Sequence, residues 1–227
     1  MKQKLTILFD LDGTLVDTAP DLMLAHNHVM RKFGYPTKST EDIRNLVGKG
    51  AGALIGRSIW GQAKKEFSKV LDEKIKDEMV KEFVNFYGKN IVNESTLITG
   101  VKDFLIWCKE QNISMAVCTN KQEHLSNDLL KKIGIYDFFE YVAGSNTFDY
   151  CKPDPRHLTN VVEILDGDVK KTIMIGDSET DANAAKAAEI PVILLENGYT
   201  EKNTTEIYHN HLIKDFIGIE KIISKYL

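Results

Sequence analysis

Four short segments of this 227-residue chain carry side chains that could do chemistry together. The first is Asp10-Leu11-Asp12-Gly13-Thr14, directly after the apolar run Leu5-Thr6-Ile7-Leu8-Phe9. In extended chain residues i and i+2 point the same way, so the two carboxylates converge, and Gly13 lets the chain turn sharply. Close carboxylates repel unless a cation or a shared proton relieves them. Such a pair suits metal-assisted chemistry in which one Asp attacks phosphorus and the other carries a proton as general acid and base. Taken alone, Asp-x-Asp-Gly is more often a solvated turn. The second segment is Thr119-Asn120, a hydroxyl and an amide that could hydrogen-bond phosphoryl oxygens or simply begin a loop. The third is Lys152-Pro153-Asp154-Pro155. Its ammonium could offset a phosphate and a nucleophile, or lie on the surface before a helix with Pro155 in its first turn. The fourth, Gly176-Asp177-Ser178-Glu179-Thr180-Asp181, offers oxygen ligands for a hard cation, although Asp181 also suits a helix N-terminus.

These segments need a scaffold that delivers them to one place. A strand buried on both faces reads as a short apolar run. Such runs lie at 5–9, 113–118, 172–175 and 192–195, with a weaker one at 141–143. Helical patterns lie between them at 101–111, 125–133 and 181–188. The alternation predicts an α/β protein with a Rossmann-like, doubly wound parallel sheet, whose sites lie at the carboxyl ends of its strands. From Thr18 to Val92 only helical periodicity is visible, with stripes Leu22, Ala25, Val29, Phe33 and Ile75, Met79, Phe83, Phe86 around a Gly34-Tyr35-Pro36 turn. The expected organisation is a catalytic core of 1–17 and 93–227, with an all-helical cap, 18–92, inserted after the first strand. The chain after Tyr199 is less patterned, apart from a helical 217–226.

Composition narrows the function. A net charge of −4, a pI of about 5.9 and the lack of a long Lys/Arg run argue against non-specific nucleic-acid binding. Cys108, Cys118 and Cys151 show no CxxC spacing and read as reduced thiols. No apolar stretch approaches a membrane span or a signal peptide. A cytoplasmic monomer or homodimer with a small-molecule phosphate ester as its partner is expected.

In their order, and in their relation to the strands, the four segments resemble the motifs of the haloacid dehalogenase superfamily of phosphohydrolases. The likeness spans nearly the whole chain, and the helical insert resembles that family's C1 cap. Within the superfamily the chain is similar to phosphoglycolate phosphatases, in Phe9–Thr18, Thr119-Asn120-Lys121, Lys152–Pro155, Gly198-Tyr199 and Val47-Gly48-Lys49-Gly50-Ala51. It departs from them before the lysine, where Ala143-Gly144-Ser145-Asn146 replaces a usual Gly-Gly-Asp stretch. The resemblance implies Asp10 as nucleophile and Asp12 as acid/base. It implies Thr119 and Asn120 as phosphate-binding, with Lys152 neutralising the phosphate. Mg²⁺ would be held by Asp10, the main-chain carbonyl of Asp12 and Asp177, with Asp181 in support, since this ion prefers oxygen ligands and bridges to substrate phosphate. The implied reaction is hydrolysis of a small phosphorylated metabolite, phosphoglycolate first, through an aspartyl-phosphate. Rivals on the same fold are another sugar or nucleotide phosphatase, a pyrophosphatase and a phosphohexose mutase; from another class, a non-catalytic phosphate-binding module. In the cap, the flexible Gly48-Lys49-Gly50 loop should face the site with Lys49 on a substrate carboxylate, and Arg44 and Arg57 as further candidates.

Other patterns are set aside. Leu15 stands where an EF-hand loop needs glycine. Gly48–Ala53 fits GxGxxA but follows a helical stretch, not a strand. His26/His28 and His209/His211 are i, i+2 pairs, which share no helix face, and read as surface histidines. Trp60 and Phe67 read as packing residues.

Overall fold

The first apolar run is buried on both faces because it sits in the middle of a sheet. The computed structural model describes residues 4–66 and 73–227, with the main chain alone at 60–66 and 73, so Trp60 and Phe67 lie outside the described side chains. In chain order the elements are β1 (Thr6–Phe9), β2 (Val16–Asp17), α1 (Ala19–Phe33), α2 (Thr40–Arg44), α3 (Ala51–Glu66), α4 (Glu73–Lys89), β3 (Thr96–Leu97), α5 (Val101–Glu110), β4 (Ser114–Cys118), α6 (Glu123–Ile133), β5 (Tyr141–Ala143), α7 (Arg156–Ile164), β6 (Thr172–Gly176), α8 (Glu179–Ala187), β7 (Val192–Leu195), β8 (His211–Ile213) and α9 (Glu220–Ile223). The main sheet runs β5-β4-β1-β6-β7-β8, and every pairing in it is parallel. The chain builds outward from β1 first through β4 and β5, then through β6, β7 and β8. The reversal opens a crevice at the carboxyl ends of β1, β4 and β6, where ligands of doubly wound sheets bind.

Alternate residues of each strand face opposite layers. Ile7 and Phe9, with Met115, Val117, Ile173 and Ile175, pack with Phe104 and Leu105 of α5 and Leu129 and Leu130 of α6. Leu8, Ala116 and Met174 face Leu158, Val161 and Val162 of α7 and the alanines of α8. The small side chains predicted at 181–188 thus let α8 lie close on the sheet.

Helices α1 to α4 follow β1, as the periodicity predicts. Leu22, Ala25, Val29, Met79 and Phe83 are buried, and α1 lies along α4. Ile75 departs from its expected stripe and is 40% exposed, while Phe86 stacks on His28 with ring centroids 4.0 Å apart. Gly34, at a φ of 78°, ends α1 in the left-handed region, and Ser39 begins α2 with a reciprocal capping box. Two short strands missed by periodicity tie the ends of the insert together: β2 pairs antiparallel with β3, Val16 against Leu97 and Asp17 against Thr96. Asp21, at the start of α1, reinforces this junction. Its buried carboxylate accepts from the main-chain N–H groups of Asn93, Glu94 and Ser95, and from Ser95 Oγ at 2.6 Å. A short strand, β8, was also unforeseen, and the helix expected at 217–226 is the brief α9. No helix among the described residues is long and apolar enough to cross a membrane.

His26 is not a surface residue. It is fully buried, with Nε2 2.6 Å from Ser58 Oγ, and so joins α1 to α3. His157 is buried too, at the start of α7, where its Nδ1 accepts the Lys152 N–H at 3.1 Å. Burial first, and the Lys152 charge second, push His157 down to about 4, so its neutral form holds the Lys152 loop. The unfolded chain therefore binds a proton at this residue between pH 6.5 and 4 that the native chain refuses, and stability is lost as pH falls through that window. Replacing His157 by Gln, which accepts a hydrogen bond without titrating, should reduce the loss of stability between pH 7 and pH 4 by about 2–3 kcal/mol. Urea midpoints of both proteins at the two pH values measure the difference; equal losses would exclude His157 as the titrating group.

Candidate active site

Strands β1, β4 and β6 end side by side, which brings Asp10, Thr119 and Asp177 to one rim. Asp10 follows the last residue of β1, and its N–H donates to Ile175 O of β6 at 2.9 Å. The turn beyond it demands glycine. Gly13 has a φ of +83°, and a Cβ there would meet Asp177 Oδ2 at 2.3 Å and the Tyr199 ring at 2.9 Å. Gly198 is pressed equally hard, since a Cβ would lie 2.0 Å from Asp177 O. The main chains of two loops therefore close on Asp177.

Asp10, Asp177 and Asp181 form one buried cluster, each offering a carboxylate oxygen within 4.8 Å of the others. Lys152 Nζ lies inside it, 2.8 Å from Asp10 Oδ1 and 2.6 Å from Asp181 Oδ1. Burial alone would lower the lysine, but the two carboxylates outweigh that and raise it, so it stays charged. Asp10 is pushed up to about 6 by burial against the pull of Lys152. Burial, then the charges of Asp10 and Asp181, hold Asp177 well above the usual carboxylate range. This negative pocket fits a hard dication with oxygen ligands. Asp181 has little capacity left for one: its Oδ2 accepts from Ser178 Oγ at 2.7 Å and from the Ser178 and Asp177 N–H groups. It is the N3 residue of a capping box on α8, which fixes the loop that carries Asp177.

Asp12 turns away from this cluster. Its carboxylate accepts from Thr18 Oγ1 at 2.7 Å and from Lys121 Nζ at 2.8 and 2.9 Å. Sequence reasoning gave Lys121 no role, although it stands two residues beyond Thr119 in the loop past a strand end. Thr119 is buried and lines the same cavity. Asn120 lines the cavity as well, but its side chain is engaged elsewhere. Its Nδ2 donates to Gly48 O at 3.1 Å and Lys152 O at 2.9 Å. Both amide hydrogens are spent on carbonyls, which also fixes the orientation of the amide. The side chain offers a phosphate no donor; it cross-links the insert to the Lys152 loop.

A cavity of about 290 Å³ lies between the rim and the helical insert. Its floor holds Asp10, Asp12, Thr119, Lys121 and Lys152; its roof holds Leu22, Val80, Phe83, Val84 and Tyr87. Gly48, Lys49 and Gly50 line it, with Lys49 exposed at the edge. Arg44 and Arg57 are not brought to its wall. Arg44 Nη2 lies 2.6 Å from Asp17 Oδ2. Arg57 donates to Asn45 O and Leu46 O and pairs with Glu201. Both arginines tether the insert. Asp17 also accepts from the Tyr199 hydroxyl, while the Tyr199 N–H donates to Asp177 Oδ2 at 2.6 Å. One residue thus connects the carboxylate cluster to the hinge of the insert, and the Gly198-Tyr199 pair was its visible sign.

Residues 7–195 match the family model described as haloacid dehalogenase-like hydrolase. A phosphoglycolate phosphatase of Mesorhizobium japonicum is 37% identical over 210 residues, covering 92% of this chain and 90% of that protein. One from Caulobacter vibrioides is 38% identical over 216 residues, covering 95% and 89%. The crystal structure of a predicted phosphoglycolate phosphatase from Haemophilus somnus 129PT superposes with a TM-score of 0.91 at 31% identity, covering 98% of this chain and 99% of that one. With its aspartates, threonine and lysine gathered at the mouth of the parallel sheet, the chain belongs to the haloacid dehalogenase-like hydrolase family.

Proposed function

We propose that this chain is a Mg²⁺-dependent phosphoglycolate phosphatase that works through an aspartyl-phosphate on Asp10, with residues 18–92 as a cap over a core of 1–17 and 93–227. The observation that carries the reading is the convergence of Asp10, Asp12, Thr119, Lys152, Asp177 and Asp181 on one cavity floor or directly behind it. The relatives named phosphoglycolate phosphatase direct it to that substrate.

The residues divide the reaction between them. Lys152 and the Thr119 hydroxyl hold phosphoryl oxygens, so that Asp10 faces phosphorus opposite the ester oxygen. An Asp10 oxygen forms the new bond to phosphorus as the ester P–O bond breaks, and Asp12 delivers a proton to the departing alkoxide. Asp12, held by Thr18 and Lys121, then takes a proton from water as the water attacks the acyl-phosphate. Inorganic phosphate leaves and Asp10 is restored. Mg²⁺, held by Asp10 and Asp177 with the Asp12 carbonyl and with Asp181 in support, would neutralise the buried carboxylates and polarise the phosphoryl oxygens. Closing the insert keeps bulk water out.

Asp10→Asn should abolish turnover while the protein stays folded, because an amide cannot form the acyl-phosphate; substantial activity in the folded variant would end the nucleophile assignment. Asp12→Asn should cost about two to four orders of magnitude in kcat. Exhaustive chelation should remove phosphoglycolate hydrolysis and added Mg²⁺ restore it; undiminished activity without metal would contradict the mechanism. Asn120→Ala should change inhibition by inorganic phosphate less than about threefold, since no amide hydrogen is free for an anion, while hydrogen exchange at Gly48 and Lys49 speeds up. A tenfold weaker phosphate inhibition would return Asn120 to the phosphate-binding set.

A further inference from the structure

Lysines 49, 121 and 152 line the cavity, and they are not equivalent. Lys152 is enclosed by Asp10 and Asp181. Lys49 is exposed on a loop between two glycines at positive φ. Lys121 is different again: its side chain is 5% exposed, and its main chain is fixed by the Ser145 N–H on its carbonyl at 2.9 Å. Its Nζ lies between the Asp12 carboxylate and the Tyr87 ring of α4, 4.4 Å from the ring centroid. The ammonium therefore sits at the seam between core and insert, shielded from solvent. There a charge interaction is worth more than at an open edge.

Resting on the phosphatase reading above, we propose that Lys121, not Lys49, reads the substrate's carboxylate. The class selected is O-phosphorylated 2-hydroxy acids, whose carboxylate is attached to the carbon bearing the ester oxygen. The reach follows from the geometry. Asp12 must come within about 2.6–3.2 Å of the ester oxygen to protonate it, so Lys121 Nζ lies within about 6 Å of that oxygen. The carboxylate carbon is two bonds from the ester oxygen, and its own oxygens extend about 3 Å from it. A charge-assisted hydrogen bond of about 2.8 Å spans what remains. Lysine has three N–H donors, and the two Asp12 oxygens occupy two, so one is left for the substrate without breaking the pair. An ester whose carboxylate lies further along the chain would carry it past this point and under the apolar roof.

The test is a ratio of kcat/KM values at saturating Mg²⁺. Phosphoglycolate is compared with ethyl phosphate, which has the same reacting end and no carboxylate, in wild type, Lys121→Met, Lys121→Arg and Lys49→Ala. Any effect of Lys121 on Asp12 or on cap closure falls on both esters and cancels. Lys121→Met should lower the phosphoglycolate-to-ethyl-phosphate ratio by about 10–150-fold, the range for a hydrogen bond to a charged group, and Lys121→Arg should recover part of it. An unchanged ratio in Lys121→Met, or a ratio that collapses in Lys49→Ala instead, would overturn the assignment. Binding supplies a readout that needs no turnover. By calorimetry with Mg²⁺ present, wild type should bind 3-phosphonopropionate at least tenfold more tightly than n-propylphosphonate, and Lys121→Met should bind them alike. Equal affinities in wild type would refute carboxylate reading by any residue. If wild type hydrolyses neither ester, the phosphatase reading itself fails, while the phosphonate affinities still decide the role of Lys121.

Discussion

At the mouth of the sheet Asp10, Asp12, Asp177 and Asp181 are matched by the ammonium groups of Lys121 and Lys152, and most of the local architecture follows from that imbalance. Buried carboxylates are tolerable only when each charge has a partner. Lys152 answers for Asp10 and Asp181 together. The capping box of α8 absorbs the second oxygen of Asp181, and the Tyr199 N–H and Thr14 hydroxyl donate to Asp177. What stays unmatched falls on Asp10 and Asp177, the two groups whose carboxyls burial raises. A hard dication would offset that excess of negative charge.

The same polar groups govern how the insert meets the core. Among the described residues, the site crosses that boundary through Asn120 to Gly48 O, Lys121 to the Tyr87 ring, and the Ala19 N–H on the Tyr199 hydroxyl. Each involves a residue of the cavity floor, one next to it, or one bonded to Asp177 behind it. These contacts link the insert to Asp12 through Lys121, to the Lys152 loop through Asn120, and to Asp177 through Tyr199. The strand pair β2–β3 and the hydrogen bonds to Asp21 keep the two connecting chains together at one place.

Much of this was legible in the chain. Strands β1, β4, β6 and β7 are buried on both faces, so each appears as an unbroken apolar run, and the residues past the first three are necessarily at the rim. Asp10, Thr119 and Asp177 could therefore be placed from local pattern alone. The helices of the insert were equally plain, because a stripe such as Leu22, Ala25, Val29 repeats over several turns. By contrast β2, β3 and β8 span two or three residues, too few for any period to show.

Side-chain partnership was decided elsewhere. Lys121 meets Asp12 across 109 positions of sequence, Asn120 meets Gly48 across 72, and Tyr199 meets Asp17 across 182. Residue type says what such a group can donate or accept, but its partner depends on which loops the sheet order sets side by side. Thus the Asn120 side chain spends its two amide hydrogens on carbonyls, and Arg44 and Arg57 tether the insert, partnerships that residue type alone does not specify. Sequence by itself determined the buried strands β1, β4, β6 and β7, the helical insert and the chemical groups at the rim, because these depend on neighbours in the chain. Tertiary structure alone decided which cation serves which carboxylate, because that pairing follows from packing between segments far apart in sequence.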